Sequence, residues 1–308
     1  MKFTSIVMFL VLWGLLYPGL LYAENPQKEQ VIEGQNKIKD EISKRWDNSS
    51  AKYDSHHGHG VQSREEAEAW RDLFARLIPD KGLKILDVGC GTGEMSFILA
   101  EMGHEVYGLD ISQKMLAKAE EKAKKKAETS GGLRLKFQWG DAEKPPFPDD
   151  FFDVVICRHV LWTLPSPQKA IDSWRRIVKE NGKVIVIDAL WDDGSLETRV
   201  RRKLGSWLRF ISEGKDSSKS HYSPALQASL PHAKGVPLEK ARAYMARAGL
   251  QDIQNVKLDR LNDIQRKYMP FWNRISYTCD YYAVCGQKRS LQKAGIKAEK
   301  ANPASERK

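Results

Sequence analysis

Between residues 83 and 110 the chain runs twice from a short hydrophobic stretch into a stop of a particular kind, and few folds accept that pattern. Ile85-Leu86-Asp87-Val88 leads into Gly89-Cys90-Gly91-Thr92-Gly93, with glycine at every second position. A second stretch, Glu105-Val106-Tyr107-Gly108-Leu109, ends on Asp110, seventeen positions after Gly93. Glycines at a strand's end let the backbone turn sharply into a helix and approach a ligand with no Cβ in the way. A carboxylate at the tip of the neighbouring strand can accept hydrogen bonds from both hydroxyls of a ribose. The dinucleotide fingerprint wants a further glycine at position 94, where this chain has Glu94, whose charge would repel a pyrophosphate at a helix N-terminus. The pattern therefore suits a nucleoside without phosphates.

Strands and helices alternate on either side of this motif, as a parallel sheet covered on both faces demands. Residues 24–45 are polar with weak helical periodicity and read as an arm. A helix over 63–77, opened by a capping box at Ser63 and Glu66, leads to strand one at 83–88 and its helix at 92–102. Strand two spans 105–109, a Lys- and Glu-rich helix 112–126, strand three 133–139, strand four 154–157, a helix 167–179 and strand five 183–188. The alternation then lapses. Residues 196–211 are basic and amphipathic, and 238–248 form a helix. Strand six is expected at 253–261 and strand seven at 276–285, joined by a loop at 262–275.

The run Asp87 to Gly93, followed by the acidic Asp110, resembles class I S-adenosylmethionine-dependent methyltransferases, in particular small-molecule enzymes similar to the ubiquinone and menaquinone C-methyltransferases. Three more segments fall in order: Gly140-Asp141-Ala142 after strand three, Asp153 to His159 at strand four, and Trp46 to Asp54, similar to a segment that closes over the cofactor in many of these enzymes. The resemblance implies a Rossmann-like α/β fold whose seven-stranded sheet has the order 3-2-1-4-5-7-6, with strand seven antiparallel and helices on both faces. It implies S-adenosyl-L-methionine as cofactor, held by Tyr53, Asp87, Gly89, Cys90, Gly91, Gly93, Asp110, Ile111, Met115, Asp141, Ala142 and Arg158. Methyl transfer from a sulfonium is an in-line displacement, so the protein's share is mainly orientation and exclusion of water. An aromatic face such as that of Tyr53 stabilises a sulfonium without attacking it. A general base is needed only where the acceptor atom carries a proton; His159, just after strand four, is placed for that role or simply lines the pocket, and as a base it would give a rate rising through a pKa near neutrality. His57, Trp162, His221 and Tyr222 are candidate acceptor contacts. A small-molecule acceptor is the first expectation. A lipid-quinone or other membrane-lipid acceptor, and a cofactor-binding protein that has lost transfer, are the alternatives.

At 308 residues the chain accommodates one substantial domain with additions, and its 50 basic against 40 acidic residues leave a formal charge of +10. Residues 286–308 supply seven cations against two acids, in a composition with little to bury, so the expectation is a solvated, disordered basic tail rather than a nucleic-acid contact. His56, His57 and His59 alternate with glycines without a nearby cysteine, and no metal is expected there. Cys90, Cys157, Cys279 and Cys285 have neither metal-ligand nor disulfide-framework spacing and read as reduced thiols. Lys2 precedes an uncharged stretch from Phe3 to Ala23, with Leu-Tyr-Ala before Glu24, as in a secretory signal. The same stretch, residues 3–23, is almost long enough to anchor the chain in a membrane, although Gly14, Pro18 and Gly19 weaken it as a helix. Either reading puts the body outside the cytoplasm, whereas the cofactor is made inside, which favours the cytoplasmic side with association to the membrane. The expected organisation is a signal-like or anchor segment at 1–23, an arm and cofactor lid at 24–62, the methyltransferase domain at 63–286 with a substrate-lid insertion at 189–235, and the tail at 287–308. The sequence leaves the oligomeric state open.

Overall fold

The computed structural model describes residues 26–55, 58–214, 222–277 and 281–289. A 24-residue helix, α1 (Pro26–Ser49), is followed by a short 3-10 turn (Ser50–Ser55) and α2 (Arg64–Leu77). Five strands and three helices come next: β1 (Lys84–Val88), α3 (Glu94–Glu101), β2 (Glu105–Asp110), α4 (Gln113–Ser130), β3 (Leu135–Trp139), β4 (Phe152–Arg158), α5 (Pro167–Ile177) and β5 (Val178–Ala189). The insertion carries α6 (Leu196–Glu213) and α7 (Pro224–Ser229); α8 (Leu238–Arg247), β6 (Gln251–Lys257), α9 (Asp259–Tyr268), α10 (Phe271–Ser276) and β7 (Tyr281–Gln287) complete the domain. The sheet has the order β3-β2-β1-β4-β5-β7-β6. β7 runs antiparallel between β5 and β6, and the remaining pairs are parallel. The expected fold class is the one observed.

Sequence explains why the sheet is buried on both faces. Along β4, Val155 and Cys157 join one core cluster while Val154 and Ile156 join the other, and in β5 Val184 and Val186 separate in the same way from Ile185 and Ile187. Period-two alternation in a strand covered on both sides gives a continuous apolar run, as parallel sheets show. One layer brings Trp174 of α5 against the sheet; the other brings Trp70 and Phe74 of α2 and Leu99 of α3. α2 starts at Ser63, whose Oγ accepts from the Glu66 N–H, while the Glu66 carboxylate reaches back one residue further, to the Gln62 N–H at 2.9 Å.

Several elements differ from the sequence expectation. The arm is one long helix, because Ile38, Ile42 and Trp46 recur every four residues and pack on the core. Residues 259–276, expected as the end of a strand and a loop, form α9 and α10: Leu258, Leu261 and Ile264 recur at helical spacing and bury one face against the core. Pro270 separates the two helices by holding Met269 in the extended region. β6 consequently ends at Lys257 and β7 begins at Tyr281. Lys288 and Arg289, assigned by composition to the basic tail, are bonded to the domain: Lys288 Nζ lies 2.6 Å from Asp150 and 2.9 Å from the Val178 carbonyl, and Arg289 pairs with Asp252. Residues 1–25 and 290–308, with the signal-like segment and most of the tail, lie outside the described residues, as do His57, His221 and Cys279. Among the described residues no helix is long and apolar enough to cross a membrane, and no group of three or more His, Cys, Asp or Glu could hold a metal ion.

Candidate cofactor site

A pocket opens over the carboxyl ends of β1, β2, β3 and β4, where an open α/β sheet takes its ligands. Its floor is the glycine turn after β1. Gly89 has φ +66, and a Cβ there would stand 2.3 Å from Val160 Cγ2, so the β1 and β4 loops can lie together only if residue 89 is glycine. Gly91, with φ +55, faces the Tyr53 ring, which would be 3.5 Å from an added Cβ. Gly93 has the same left-handed backbone and opens α3.

Asp110 is the best-defined acid of the pocket. Oδ2 accepts from the Gly91 N–H at 2.8 Å and Oδ1 from the Ser112 N–H at 2.8 Å. An ionised carboxylate has about four lone-pair directions, so about two remain for hydroxyl donors. Burial raises its pKa to about 6, against the lowering by those backbone N–H groups. Asp141 sits at the β3 end of the pocket, where Oδ1 accepts from the Glu143 N–H at 2.8 Å and Oδ2 from Lys39 Nζ at 2.8 Å. Ile111, Met115 and Ala142 also line the pocket. At its other end are Arg158 and His159. The Arg158 guanidinium stacks over Trp70 at 5.5 Å and donates to the carbonyls of Gly58 and His59, which ties these two residues to the end of β4.

His159 has φ +60 and a buried ring between Tyr281, 4.7 Å away, and His59, at 6.4 Å. Burial first, then the charges of Arg158 and His59, push its pKa well below 6.5, so the ring is neutral at pH 7. Its Nδ1 is 4.0 Å from Asp188 Oδ1, beyond hydrogen-bond length. Asp188 is fully buried at the end of β5; Oδ1 accepts from the Ala189 N–H, Oδ2 has no hydrogen-bond partner, and burial raises its pKa to about 8.

The remaining sequence candidates stand behind the pocket wall. The Asp87 carboxylate is buried and accepts from Ser96 Oγ at 2.5 Å, joining β1 to α3, and burial raises its pKa to about 6. Cys90 is buried, with its thiol pKa raised by burial and by Asp110 and Asp87. Trp162 and Tyr222 form an aromatic group with Trp46, with centroids 6.0 Å and 6.3 Å from the Trp46 ring and 5.1 Å from each other. Neither is part of the pocket lining, whereas Trp46 is.

The sequence placed a lid at 24–62 but did not show which residues dock it. α1 lies across it through Lys39, Ser43 and Asp47: Lys39 pairs with Asp141 and with Glu143 at 2.7 Å, Ser43 Oγ donates to the Ile111 carbonyl at 3.0 Å, and Asp47 Oδ1 accepts from Ser112 Oγ at 2.6 Å and the Lys114 N–H at 3.1 Å. The spacing of four between these residues puts them on one helix face, a signal present in the sequence. The lid after α1 is tied down by Lys122, which pairs with Asp54 at 2.9 Å and Glu94 at 2.6 Å, and by the Val61 N–H on Glu94 at 3.2 Å. Glu94, which argued against a pyrophosphate, is thus engaged in closing the site.

A glycine turn under an aromatic ring, a carboxylate with lone pairs to spare for a diol, and a second acid farther along the sheet fit a nucleoside carrying an amino-acid tail. A family profile described as a methyltransferase domain matches residues 86–186. A demethylmenaquinone methyltransferase of Anoxybacillus flavithermus is 38% identical over 124 residues, 39% of this chain and about half (51%) of that enzyme's length. One of Bacillus pumilus is 31% identical over 237 residues, 73% of this chain and 91% of that enzyme. A solved phosphoethanolamine N-methyltransferase 2 of Haemonchus contortus, in complex with S-adenosyl-L-methionine, shares the fold with a TM-score of 0.54 and 19% identity over 79% of this chain and 57% of that one. The chain belongs to the class I S-adenosylmethionine-dependent methyltransferase family. Its relatives in that family include the demethylmenaquinone methyltransferases.

Proposed function

We propose that the protein transfers a methyl group from S-adenosylmethionine to a small aromatic acceptor of the quinol type. The observation that carries this reading is the conjunction of the Asp110 and glycine-turn cradle with an aromatic group, Trp46, Trp162 and Tyr222, directly beside it. The names of the relatives support the acceptor class.

S-adenosylmethionine, when bound, supplies an electrophilic methyl group on a sulfonium that is already an excellent leaving group. In this reading the chain's own residues bind, orient and exclude water. Asp110 accepts from the ribose hydroxyls, Asp141 faces the base, and the glycine turn accommodates the amino-acid tail beneath Tyr53. Burial raises the Tyr53 pKa to about 12, so the phenol stays neutral and offers a π face to a cation. Van der Waals contact with Trp46 and the loop from Val160 to Pro165 orients a planar acceptor. Methylation at a ring carbon leaves one proton to remove, and the neutral His159 ring is a basic nitrogen at the end of the pocket able to take it.

The test is turnover to S-adenosylhomocysteine with reduced demethylmenaquinone, with a short-chain naphthoquinol and with phosphoethanolamine as a non-aromatic control. Turnover restricted to the quinols supports the reading. Calorimetric binding of S-adenosylhomocysteine without quinol turnover would reject the acceptor class while leaving the cofactor site standing.

A further inference from the structure

We infer that the outward face of α6 is a docking face for an anionic lipid bilayer. Leu196, Val200, Leu204, Trp207 and Ile211 are 71%, 55%, 45%, 59% and 62% exposed. Their spacing of four, four, three and four places all five on one side of the helix, with Phe210, 58% exposed, beside them. A stripe of that length and width is more than the scattered apolar residues of an ordinary surface.

The opposite side shows that this orientation is built in. Gly205 is buried so tightly that a Cβ would come within 2.6 Å of Ser276 and 2.9 Å of the Trp272 carbonyl, both in α10. Thr198 is buried, and Arg201 donates to the carbonyls of Ile275 at 3.0 Å and Tyr277 at 3.3 Å. The helix is therefore fixed by its small and polar side, and its apolar side is turned away from the body.

Charge selects the occupant. Arg199 and Lys203 are exposed along or beside the stripe, in a chain of formal charge +10. Two copies facing each other through this stripe would bring like charges together, whereas an anionic headgroup layer meets those cations while the acyl region takes the apolar side chains. Long basic side chains reach back to the headgroups from such a helix. Trp207 and Phe210, with Phe271 62% and Tyr268 43% exposed nearby in sequence to the α10 contact, supply aromatic rings of the kind found at a bilayer interface. α6 also begins close to the pocket wall, since Arg202 pairs with Asp192 at 3.3 Å and the adjacent Trp191 ring is 5.0 Å from Trp162. The docking face stands whatever the acceptor proves to be.

The test uses the full chain with vesicles of phosphatidylcholine alone or mixed with phosphatidylglycerol, and compares it with the triple variant Val200→Asp, Leu204→Asp, Trp207→Asp. Amide hydrogen exchange over residues 196–213 should slow when mixed vesicles are added and hardly change with phosphatidylcholine alone. The triple variant should lose that protection and partition to mixed vesicles about 100-fold less well, the effect of about 1 to 1.5 kcal/mol at each of two or three sites. Equal binding of S-adenosylhomocysteine by the variant shows that it is folded; if it is not, the exchange pattern of the unaltered chain decides alone. Unprotected α6 amides on a chain that sediments with vesicles would overturn the proposal, because another segment is then the membrane contact. Protection that appears without lipid and grows with protein concentration, together with a doubled mass, would overturn it in favour of a second copy.

Discussion

Asp110 combines two duties in one side chain: it holds the glycine turn through the Gly91 N–H, and it keeps lone pairs for a ligand. Asp110→Ala should therefore weaken S-adenosylhomocysteine binding by about 30- to 1000-fold, the loss of about 2 to 4 kcal/mol of charge-assisted hydrogen bonding, as read by calorimetric titration. Because burial raises its pKa to about 6, the same affinity should fall as the pH drops through about 6, where protonation removes an acceptor. An affinity indifferent to both changes would take Asp110 out of the site. For His159 the physics shifts the sequence expectation. A base active only when neutral loses activity as pH falls through its pKa, and that value lies well below 6.5, so the acid limb of the kcat profile should lie below the neutral range. His159→Ala should lower kcat by about 100-fold and leave cofactor affinity unmoved; a loss seen only in the acceptor KM would make it a lining residue.

At the scale of elements, α1 is the part whose importance composition concealed. A polar helix with a weak apolar stripe would not hold together alone, and it is stabilised here by docking Ile42 and Trp46 on the core and Asp47 on the start of α4. Asp47 supplements the Ser112 cap of α4 from a distance of 65 residues in sequence, accepting from the Ser112 hydroxyl and the Lys114 N–H. Asp47→Ala should cost about 1 kcal/mol of docking, or about fivefold faster amide exchange along α1, with less change in the central strands. Exchange that stays the same would mean that the apolar face and Lys39 suffice. The glycine turn, the strands up to β5 and the capping residue Ser63 were legible because each depends on neighbours in sequence. α9 and α10 were missed although Leu258, Leu261 and Ile264 recur at helical spacing, because Pro270 breaks the segment and only the core assigns it an inner face.

For the whole molecule, three carboxyls couple folding to pH, Asp87 and Asp188 buried and Asp110 half-buried in the pocket. Asp87 and Asp110 have pKa values raised to about 6 and Asp188 to about 8, in each case by burial, from an ordinary 3.8. A raised folded-state pKa means that the native state binds the proton more tightly than the unfolded chain, so the associated stability is present below about pH 4 and is lost as pH rises through the folded value. The ligand-free protein should lose thermal stability between pH about 6 and about 8 through Asp188 in particular. Asp188→Asn, which keeps the shape without the charge, should flatten that decline, as scanning calorimetry across the range would show. An equally steep decline in the variant would move the effect to other groups.

What the sequence determined by itself was whatever depends on short-range chemistry: a strand that stops in alternating glycines, an acid at the next strand's tip, apolar runs long enough for a sheet covered on both faces, and hence the sheet order carried by the family resemblance. Tertiary structure alone decided which acids face the pocket. Asp87 and Asp110 both follow apolar residues in strands, yet one carboxylate turns back to Ser96 and the other toward the ligand space. It also decided that Lys39 meets Asp141 across 102 residues, and that the apolar residues of α6 point outward, because Gly205 permits close approach on the other side. Such outcomes depend on which surfaces meet in three dimensions, and a periodicity within one segment contains no record of the partner that it will face.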